Sequence, residues 1–217
     1  MKVRLFSYSQ NPEGMNLQEQ VAYCARVSNP SNQLNHDTSE KLIKYLIKHA
    51  HWSPLEMVSA TLEIETTRDI ARQILRHRSF VFQEFSQRYA DPTESLGFEY
   101  REARLQDSKN RQNSIEIPQD SELAMWWMQR QKNHITAARN LYAEAIKRGI
   151  AKEQARAILP EGNAISRIYM AGTMRSWVHF VNLRSGAETQ KEHRLVARAC
   201  ADVLEPIFPM IKGLIDG

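Results

Sequence analysis

The segment Val58–Glu65 reads Val-Ser-Ala-Thr-Leu-Glu-Ile-Glu, and apolar residues alternate with polar ones along its whole length. Successive side chains of a β-strand point to opposite faces, so this alternation predicts a strand with one buried face. No other segment of the chain has a clearer strand pattern. The residues predicted to face the core are Val58, Ala60, Leu62 and Ile64.

A helix is predicted directly after this strand, from Arg68 to about Arg78, and either Thr66 or Thr67 can cap it. Arginines recur at every fourth position on one side of the helix, where they lie above one another. These arginines are Arg68, Arg72 and Arg76, and the predicted core face carries Ile70, Ile74 and Leu75.

The spacing of apolar residues indicates that most of the remaining chain is helical. Predicted elements are a strand over Lys2–Tyr8 and helices over Leu17–Val27, from a capping box of Asp37 and Glu40 to a stop within His49–Pro54, from Ser121 to Gly149, and over 152–159, 173–184 and 188–204. The polar segment Asp91–Asp120 is weakly patterned and is predicted to be a loop excursion or insertion. Many helices and few strands indicate the α+β class.

Composition is that of an ordinary globular protein of 217 residues, with 42% hydrophobic and 25% charged residues. The formal net charge of +4 is mildly basic, which suits an anionic ligand. We find no signal peptide and no membrane span, so a cytoplasmic protein without a membrane partner is expected. Cys24 and Cys200 form no CxxC pair and are interpreted as helix-packing residues.

The segment Arg76–Tyr89, Arg-His-Arg-Ser-Phe-Val-Phe-Gln-Glu-Phe-Ser-Gln-Arg-Tyr, follows the helix and combines cations with aromatic rings. The planar fork of arginine matches two oxygens of a phosphate or carboxylate at once. Flat apolar rings beside such forks suit a ligand that has both a planar base and anionic groups. This segment therefore predicts a nucleotide site.

Several common catalytic and binding motifs are absent from the sequence. It has no GxGxxG, no P-loop and no HExxH, and Ser86 lies in no GxSxG elbow. His49 and His51 lack a third ligand at a recognisable spacing, so no metal site is predicted. Trp126 and Trp127 are interpreted as core packing rather than as a ligand platform. An enzyme with this sequence has to draw its reactive atom from a cofactor.

Arg76-His77-Arg78, seven further residues and then Ser86-x-Arg88-Tyr89 resemble the signature of the flavin-dependent thymidylate synthases (ThyX). The likeness extends over about residues 20–205, with Asp91–Asp120 poorly matched. Further segments that resemble the family are His51-x-Ser53-Pro54-Leu55-Glu56, Gln73, Arg156-x-x-Leu159-Pro160, Arg175-Ser176, Asn182-Leu183-Arg184 and Gln190-x-Glu192.

This resemblance implies one ThyX-like catalytic domain over residues 1–217, with a small antiparallel sheet. It implies reductive methylation of dUMP to dTMP, with methylenetetrahydrofolate as carbon donor and NADPH as reductant through FAD. It also implies a homotetramer whose active sites are shared between subunits, and no nucleic-acid partner.

The family's functional residues carry over by position. The implied catalytic residues are Arg184, Ser86 and His51. Implied FAD contacts are Ser53, Arg76, His77, Arg78, Glu84, Thr173, Met174, Arg175 and His179. Implied dUMP contacts are Gln73, Ile74, Leu75, Arg76, Glu84, Phe85, Ser86, Gln87, Arg88, Arg156 and Arg184. Guanidinium stays protonated, so Arg184 would stabilise negative charge on the uracil rather than act as a base. Ser86 would orient the nucleotide.

The sequence departs from the family pattern at three positions. Gln83 stands where Asn is common, His179 where Asn is common, and Glu188 where His is common. A carboxylate in place of a histidine would repel the phosphates of FAD.

Two readings of other classes stay open at this point. In one, a nucleic-acid-binding protein uses Arg68, Arg72, Arg76, Arg78 and Arg88 on phosphates and Phe80, Phe82, Phe85 and Tyr89 on bases. In the other, the arginine-rich turn is a solvated face of a helical domain. The small net charge and Glu84 inside the patch argue against the first reading, and the matching contexts of Gln73, Arg156 and Arg184 argue against the second.

Overall fold

The computed structural model describes residues 1–214 of the chain. Its strands are β1 (Lys2–Tyr8), β2 (Ser59–Thr67), β3 (Val81–Glu84), β4 (Arg104–Gln106), β5 (Ser114–Glu116) and β6 (Ile165–Thr173). Its helices are α1 (Leu17–Ala25), α2 (Ser39–Lys48), α3 (Arg68–Ile74), α4 (Pro92–Ser95), α5 (Glu122–Lys147), α6 (Lys152–Ala155), α7 (Met174–Arg184) and α8 (Lys191–Leu204). The predicted α+β class is confirmed.

Two small sheets accompany the helices. The four-stranded sheet has the order β1-β2-β6-β3, and β4 pairs with β5 in an antiparallel two-stranded sheet. None of the helices within residues 1–214 is both long and apolar enough to cross a membrane.

The described chain divides into two compact units, each made of separate segments. Unit one comprises Met1, Glu65–Arg76 and Glu84–Ile168, and unit two comprises Lys2–Ile64, His77–Gln83 and the chain from Tyr169 onward. The single catalytic domain implied by the resemblance stays a prediction.

The strand predicted at Val58–Glu65 is confirmed as β2, shifted by one residue at its start. Its inward side chains, from Val58 to Ile64, are 2% exposed or less. Glu63, predicted to face outward, is also buried, because Arg4 on β1 covers its carboxylate with two hydrogen bonds of 2.8 and 2.6 Å. A buried carboxylate needs such a partner to offset its lost hydration.

Two helix predictions need correction. Helix α3 ends at Ile74, so Arg76–Arg78 lie beyond it in a turn. The capping box of Asp37 and Glu40 is wrong, because His36–Thr38 form a 3₁₀ turn and Thr38 occupies the N-cap without a side-chain bond. A capping box occurs instead at α1, between Asn16 and Glu19.

The exposure of individual side chains and the local structure of one segment bear on further predictions. Trp126 and Trp127 are 51% and 38% exposed, so they are not core residues. Cys24 is only half-buried, whereas Cys200 is fully buried as predicted. The segment Asp91–Asp120 contains α4 and the β4–β5 pair, and Ser121 caps α5 as predicted.

Phe80 anchors the turn that follows α3 to the core of unit two. Its ring meets the indole of Trp177 edge-on at 4.8 Å between centroids, and both side chains are buried. The backbone of Gly172 on β6 lies directly against this ring, and a Cβ built at Gly172 would come within 2.5 Å of Phe80 Cδ1. Position 172 therefore requires glycine, because any Cβ would overlap the ring of Phe80.

We expect Gly172→Ala to lower the free energy of unfolding by about 1–3 kcal/mol, because a packed aromatic ring must move to admit the methyl group. Urea unfolding measures the change. Gly162→Ala is the matched control, since the nearest atom to its added Cβ would be Asp69 Oδ2 at 4.0 Å. Equal stability of the two variants would contradict this packing argument.

Candidate active site

Residues His77 to Phe80 of the turn after α3 belong to unit two and are held there by contacts from α7, whereas Arg76 is the last residue of a unit-one segment. Ser176 Oγ donates a hydrogen bond of 3.0 Å to the backbone oxygen of Ser79, and Phe80 packs beneath it. The Arg76 and Arg78 side chains are exposed, and neither forms a hydrogen bond or ion pair with any residue in the described range. The turn therefore presents unneutralised positive charge.

Arg184, at the end of α7, is tied to His77 through one nitrogen only. Its Nε donates a hydrogen bond of 2.9 Å to His77 Nε2. Because Nε2 accepts this bond, His77 carries its proton on Nδ1 and is neutral. The Nη1 and Nη2 groups of Arg184 have no hydrogen-bond partner among residues 1–214, so the end of the guanidinium is available to a ligand.

Two histidines beside Arg184 are kept uncharged by their surroundings. Burial, and then the charge of Arg184, lowers the pKa of His77 to about 4. Burial lowers the pKa of His193 to about 4 as well, with smaller effects from Arg184 and His77. Both imidazoles are therefore neutral at neutral pH.

Ser53 lies at the edge of an apolar cavity of about 390 Å³ in unit two. The cavity is lined by Tyr23, Cys24, Val27, Gln33, Ser53, Pro54 and Met57. Two other predicted residues lie in this unit. The ring centroid of His179 lies 4.4 Å from that of Trp52, and Arg175 forms an ion pair with Glu56. His51 is exposed, beside Tyr45 and His49.

Thr173 and Met174 begin α7 and have local structural partners. Thr173 is the N-cap, and its Oγ1 accepts a hydrogen bond of 3.4 Å from the Ser176 backbone nitrogen. The Met174 side chain is fully buried, and its backbone nitrogen donates to Val58 O. Any ligand contact of Met174 would have to involve its backbone.

In unit one, Glu84 lies at the centre of an ion-pair ring. Its Oε1 accepts hydrogen bonds from Arg68 Nη1 at 3.4 Å and Ser166 Oγ at 2.8 Å, and its Oε2 accepts one from Arg72 Nη1 at 3.2 Å. Glu161 bridges the Nε atoms of the same two arginines on the other side. Both oxygens of the Glu84 carboxylate therefore act as acceptors within this ring.

The second half of the motif, after Glu84, forms a turn in unit one. Ser86 Oγ accepts a 3.3 Å hydrogen bond from the Arg88 backbone nitrogen, and Arg88 Nη2 lies 3.4 Å from Glu153 Oε2. Phe85 is half-buried, and its backbone nitrogen donates to Arg167 O at 2.8 Å. The side chain of Gln87 is buried.

The remaining predicted dUMP residues of unit one lie on α3 and after α6. Ile74 is fully buried, while Gln73 and Leu75 are partly buried. Arg156 begins a 3₁₀ turn after α6, and its guanidinium has no partner within residues 1–214. Unit one therefore also presents a cation without a countercharge.

Sequence reasoning missed the residues that hold the predicted ones in place. Arg68, Arg72 and Ser166 hydrogen-bond to Glu84, and Ser166 is 82 positions away from it. His193 lies beside His77 but belongs to no motif. Such contacts arise from tertiary packing, so no local sequence pattern predicts them. Among residues 1–214, no three His, Cys, Asp or Glu side chains are grouped to hold a metal ion.

The two low histidine pKa values make stability depend on pH. Between about pH 6.5 and pH 4 the unfolded chain binds protons at His77 and His193 while the folded chain does not. We therefore expect the free energy of unfolding to fall as pH is lowered through this interval, by up to about 1.4 kcal/mol per pH unit for each imidazole.

Urea unfolding at a series of pH values measures this slope. His193→Leu removes one of the two contributions and should make the slope shallower. His134→Gln changes an exposed histidine on α5 and should leave the slope unchanged. A wild-type stability that is flat from pH 6.5 to pH 4 would show that the two imidazoles are not held neutral.

Comparison with known proteins identifies relatives over nearly the whole chain. The family model described as "Thymidylate synthase complementing protein" matches residues 4–210. The flavin-dependent thymidylate synthase of Synechocystis sp. is 48% identical over 206 residues, covering 95% of this chain and 90% of that protein. A protein of Paramecium bursaria Chlorella virus 1 named "Probable flavin-dependent thymidylate synthase" is also 48% identical, covering 94% and 93%.

A solved structure shares the fold. The UMP/dUMP methylase PolB from Streptomyces cacaoi superposes with a TM-score of 0.79 at 24% identity, covering 99% of this chain and 94% of that one. The sequence matches go beyond the fold, because they span the Arg76–Tyr89 segment and the residues around Arg184. The chain therefore belongs to the family of the flavin-dependent thymidylate synthases.

Proposed function

We propose that this protein methylates dUMP to dTMP in the cytoplasm, with FAD as its flavin, methylenetetrahydrofolate as the carbon donor and NADPH as the reductant. The named activity of its relatives supports the flavin and thymidylate parts of the proposal. The observation that carries it is the geometry of Arg184, whose Nε is held by His77 while its two Nη groups remain available.

This geometry suits recognition of a uracil ring. The N–H groups of a guanidinium can donate to a carbonyl oxygen of the ring, and the fork loses little freedom on binding once Nε is fixed. The charge of Arg184 would stabilise the negative charge that develops when the ring is activated. Arg184 would act electrostatically, since it cannot accept a proton.

The residues present also fit a dinucleotide cofactor. Arg76 and Arg78 have no acidic partner in the described chain and can bind its phosphates, and Ser53 borders an apolar cavity that suits a flat ring. Once bound and reduced by NADPH, the flavin would supply the hydride. The protein's own residues bind and orient the reactants.

Neither cysteine is suited to a nucleophilic mechanism. Burial raises the pKa of the Cys200 thiol far above its usual range, and the side chain is fully enclosed. Cys24 lies half-buried on α1. Ser86 makes only a local turn contact and has no base beside it, so it would orient the nucleotide rather than attack it.

An absorption spectrum of the purified protein, titrated with FAD and then with dUMP, tests the proposal. We expect flavin bands that shift when dUMP is added and that bleach with NADPH. Formation of dTMP from dUMP after addition of methylenetetrahydrofolate would then establish the reaction. Failure to bind FAD at saturating concentration would overturn the proposal.

Arg184→Lys tests the role of the fork within the same titration. The variant keeps the charge but loses the planar donors, so we expect dUMP binding to weaken by about tenfold or more while FAD binding is retained. Arg148→Lys is the matched control, because Arg148 is the exposed C-cap residue of α5 and is paired with Glu144. Equal dUMP affinity of both variants would exclude the assignment of Arg184.

The proposal includes a homotetramer, and α5 in unit one supports it. Large apolar side chains stand exposed on the first turns of this helix, which is unusual for a surface that meets only water. They are Leu123, Met125, Trp126, Trp127 and Met128, with exposures from 38% to 58%. A second copy of the chain would cover them.

Sedimentation equilibrium tests this assembly, and we expect a mass of four chains. Met125→Asp places a charge among the exposed apolar residues and should lower the mass, because a buried unpaired carboxylate is costly. Arg139→Glu, at an exposed polar position of the same helix, should not change the mass. A wild-type monomer would overturn the tetramer.

A further inference from the structure

His193 is a buried polar residue that the proposed chemistry does not use. It lies on α8, is 0% exposed, and belongs to none of the motifs in the sequence. Fully buried histidines are uncommon, because an imidazole retains a polar atom on each edge. Its neighbours are therefore informative about why it is there.

The ring of His193 packs against Phe180 and His77, and His77 in turn accepts a hydrogen bond from Arg184. Its centroid lies 5.8 Å from Phe180 and 6.2 Å from His77, and the two imidazoles are nearly perpendicular at 84°. Phe180 in turn meets His77 edge-on at 5.0 Å. The imidazole of His77 is thus supported by one ring from α7 and one from α8.

This support determines where Arg184 can lie. His77 Nε2 can accept the Nε–H of Arg184 only while the ring keeps its present orientation, since hydrogen bonds weaken steeply when misaligned. If the ring turned, Nδ1–H would face the guanidinium, and two donors would oppose each other. The orientation of Arg184 therefore depends on the packing around His77.

We propose that His193 is a positioning residue for Arg184, which acts by holding the His77 ring so that Arg184 is fixed through Nε and keeps both Nη groups for the uracil of dUMP. The uracil part of this inference rests on the proposed function. The part that concerns His77 and Arg184 is a property of the protein alone.

The choice of histidine at this position has a physical reason. A cation at position 193 would repel Arg184, and a carboxylate would attract a proton to His77 and so remove the acceptor that Arg184 needs. A neutral imidazole avoids both effects while filling the space beside Phe180. The low pKa of His193 agrees with this neutral state.

His193→Ala tests the proposal when it is compared with Val196→Ala. Both residues are fully buried on α8, so both variants leave a cavity and should lower the melting temperature. We expect His193→Ala to weaken dUMP binding by about tenfold with little change in FAD affinity, and Val196→Ala to leave dUMP binding unchanged. Similar losses in both variants would show a merely structural role and overturn the proposal.

A double-mutant cycle with Arg184→Ala shows whether His193 acts through Arg184. We expect His193→Ala to have no further effect on dUMP binding once the Arg184 side chain has been removed, because His193 acts on dUMP only through Arg184. Independent, additive losses would overturn the proposal, since His193 would then act on binding by another route.

A measurement without dUMP separates this inference from the proposed function. Nitrogen-15 NMR of the histidine rings should show His77 as the Nδ1–H tautomer in the wild-type protein and a mixture of tautomers in His193→Ala. An unchanged His77 signal in His193→Ala would overturn the positioning role. A wild-type protein with the expected tautomer but no affinity for dUMP would instead refute the proposed function.

Discussion

The burial of Phe80 is the constraint on which the turn that carries His77 and Arg78 depends. Its ring is packed on Trp177 and pressed against the backbone of Gly172, so the residues just before it must leave the core and enter solvent. This explains how hydrophobic packing can present Arg78 outward without any acid to hold it. Because Phe80 is buried, its ring cannot stack on a base. This argues against the hypothesis that the protein binds nucleic acid through these aromatic residues.

Two groups of arginines differ in whether acidic side chains neutralise them. Arg68 and Arg72 are occupied by Glu84 and Glu161, and buried Arg68 would be costly without them. Arg76, Arg78 and Arg156 have no countercharge within residues 1–214. An ion-paired arginine stabilises the structure, whereas an unpaired arginine can still bind an anion. The ion pairs of an arginine therefore indicate its role, structural or ligand-binding, better than the number of positive charges in the chain does.

The sequence predicted what local patterns can encode and little else. Alternation in Val58–Ile64 located β2, and the spacing of two short motifs pointed to the family. The strand β6 was missed although its buried residues Ser166, Ile168 and Met170 alternate, because small and polar residues weaken the apolar signal. The contact of Arg184 with His77 joins residues 107 positions apart, and the exposure of Trp126 depends on what packs around α5. Such features come from tertiary packing and cannot be derived from a window of residues.

The interleaving of the two units has a consequence for synthesis on the ribosome. Strand β1 leaves the exit tunnel long before α8, on which it packs, and the backbone nitrogen of Leu17 donates to Ile207 O. Unit two therefore cannot complete its core until α8 and Ile207 have also been translated. During that time the apolar faces of β1 and α1 lack their final partners, which is the condition under which nascent chains aggregate or engage chaperones.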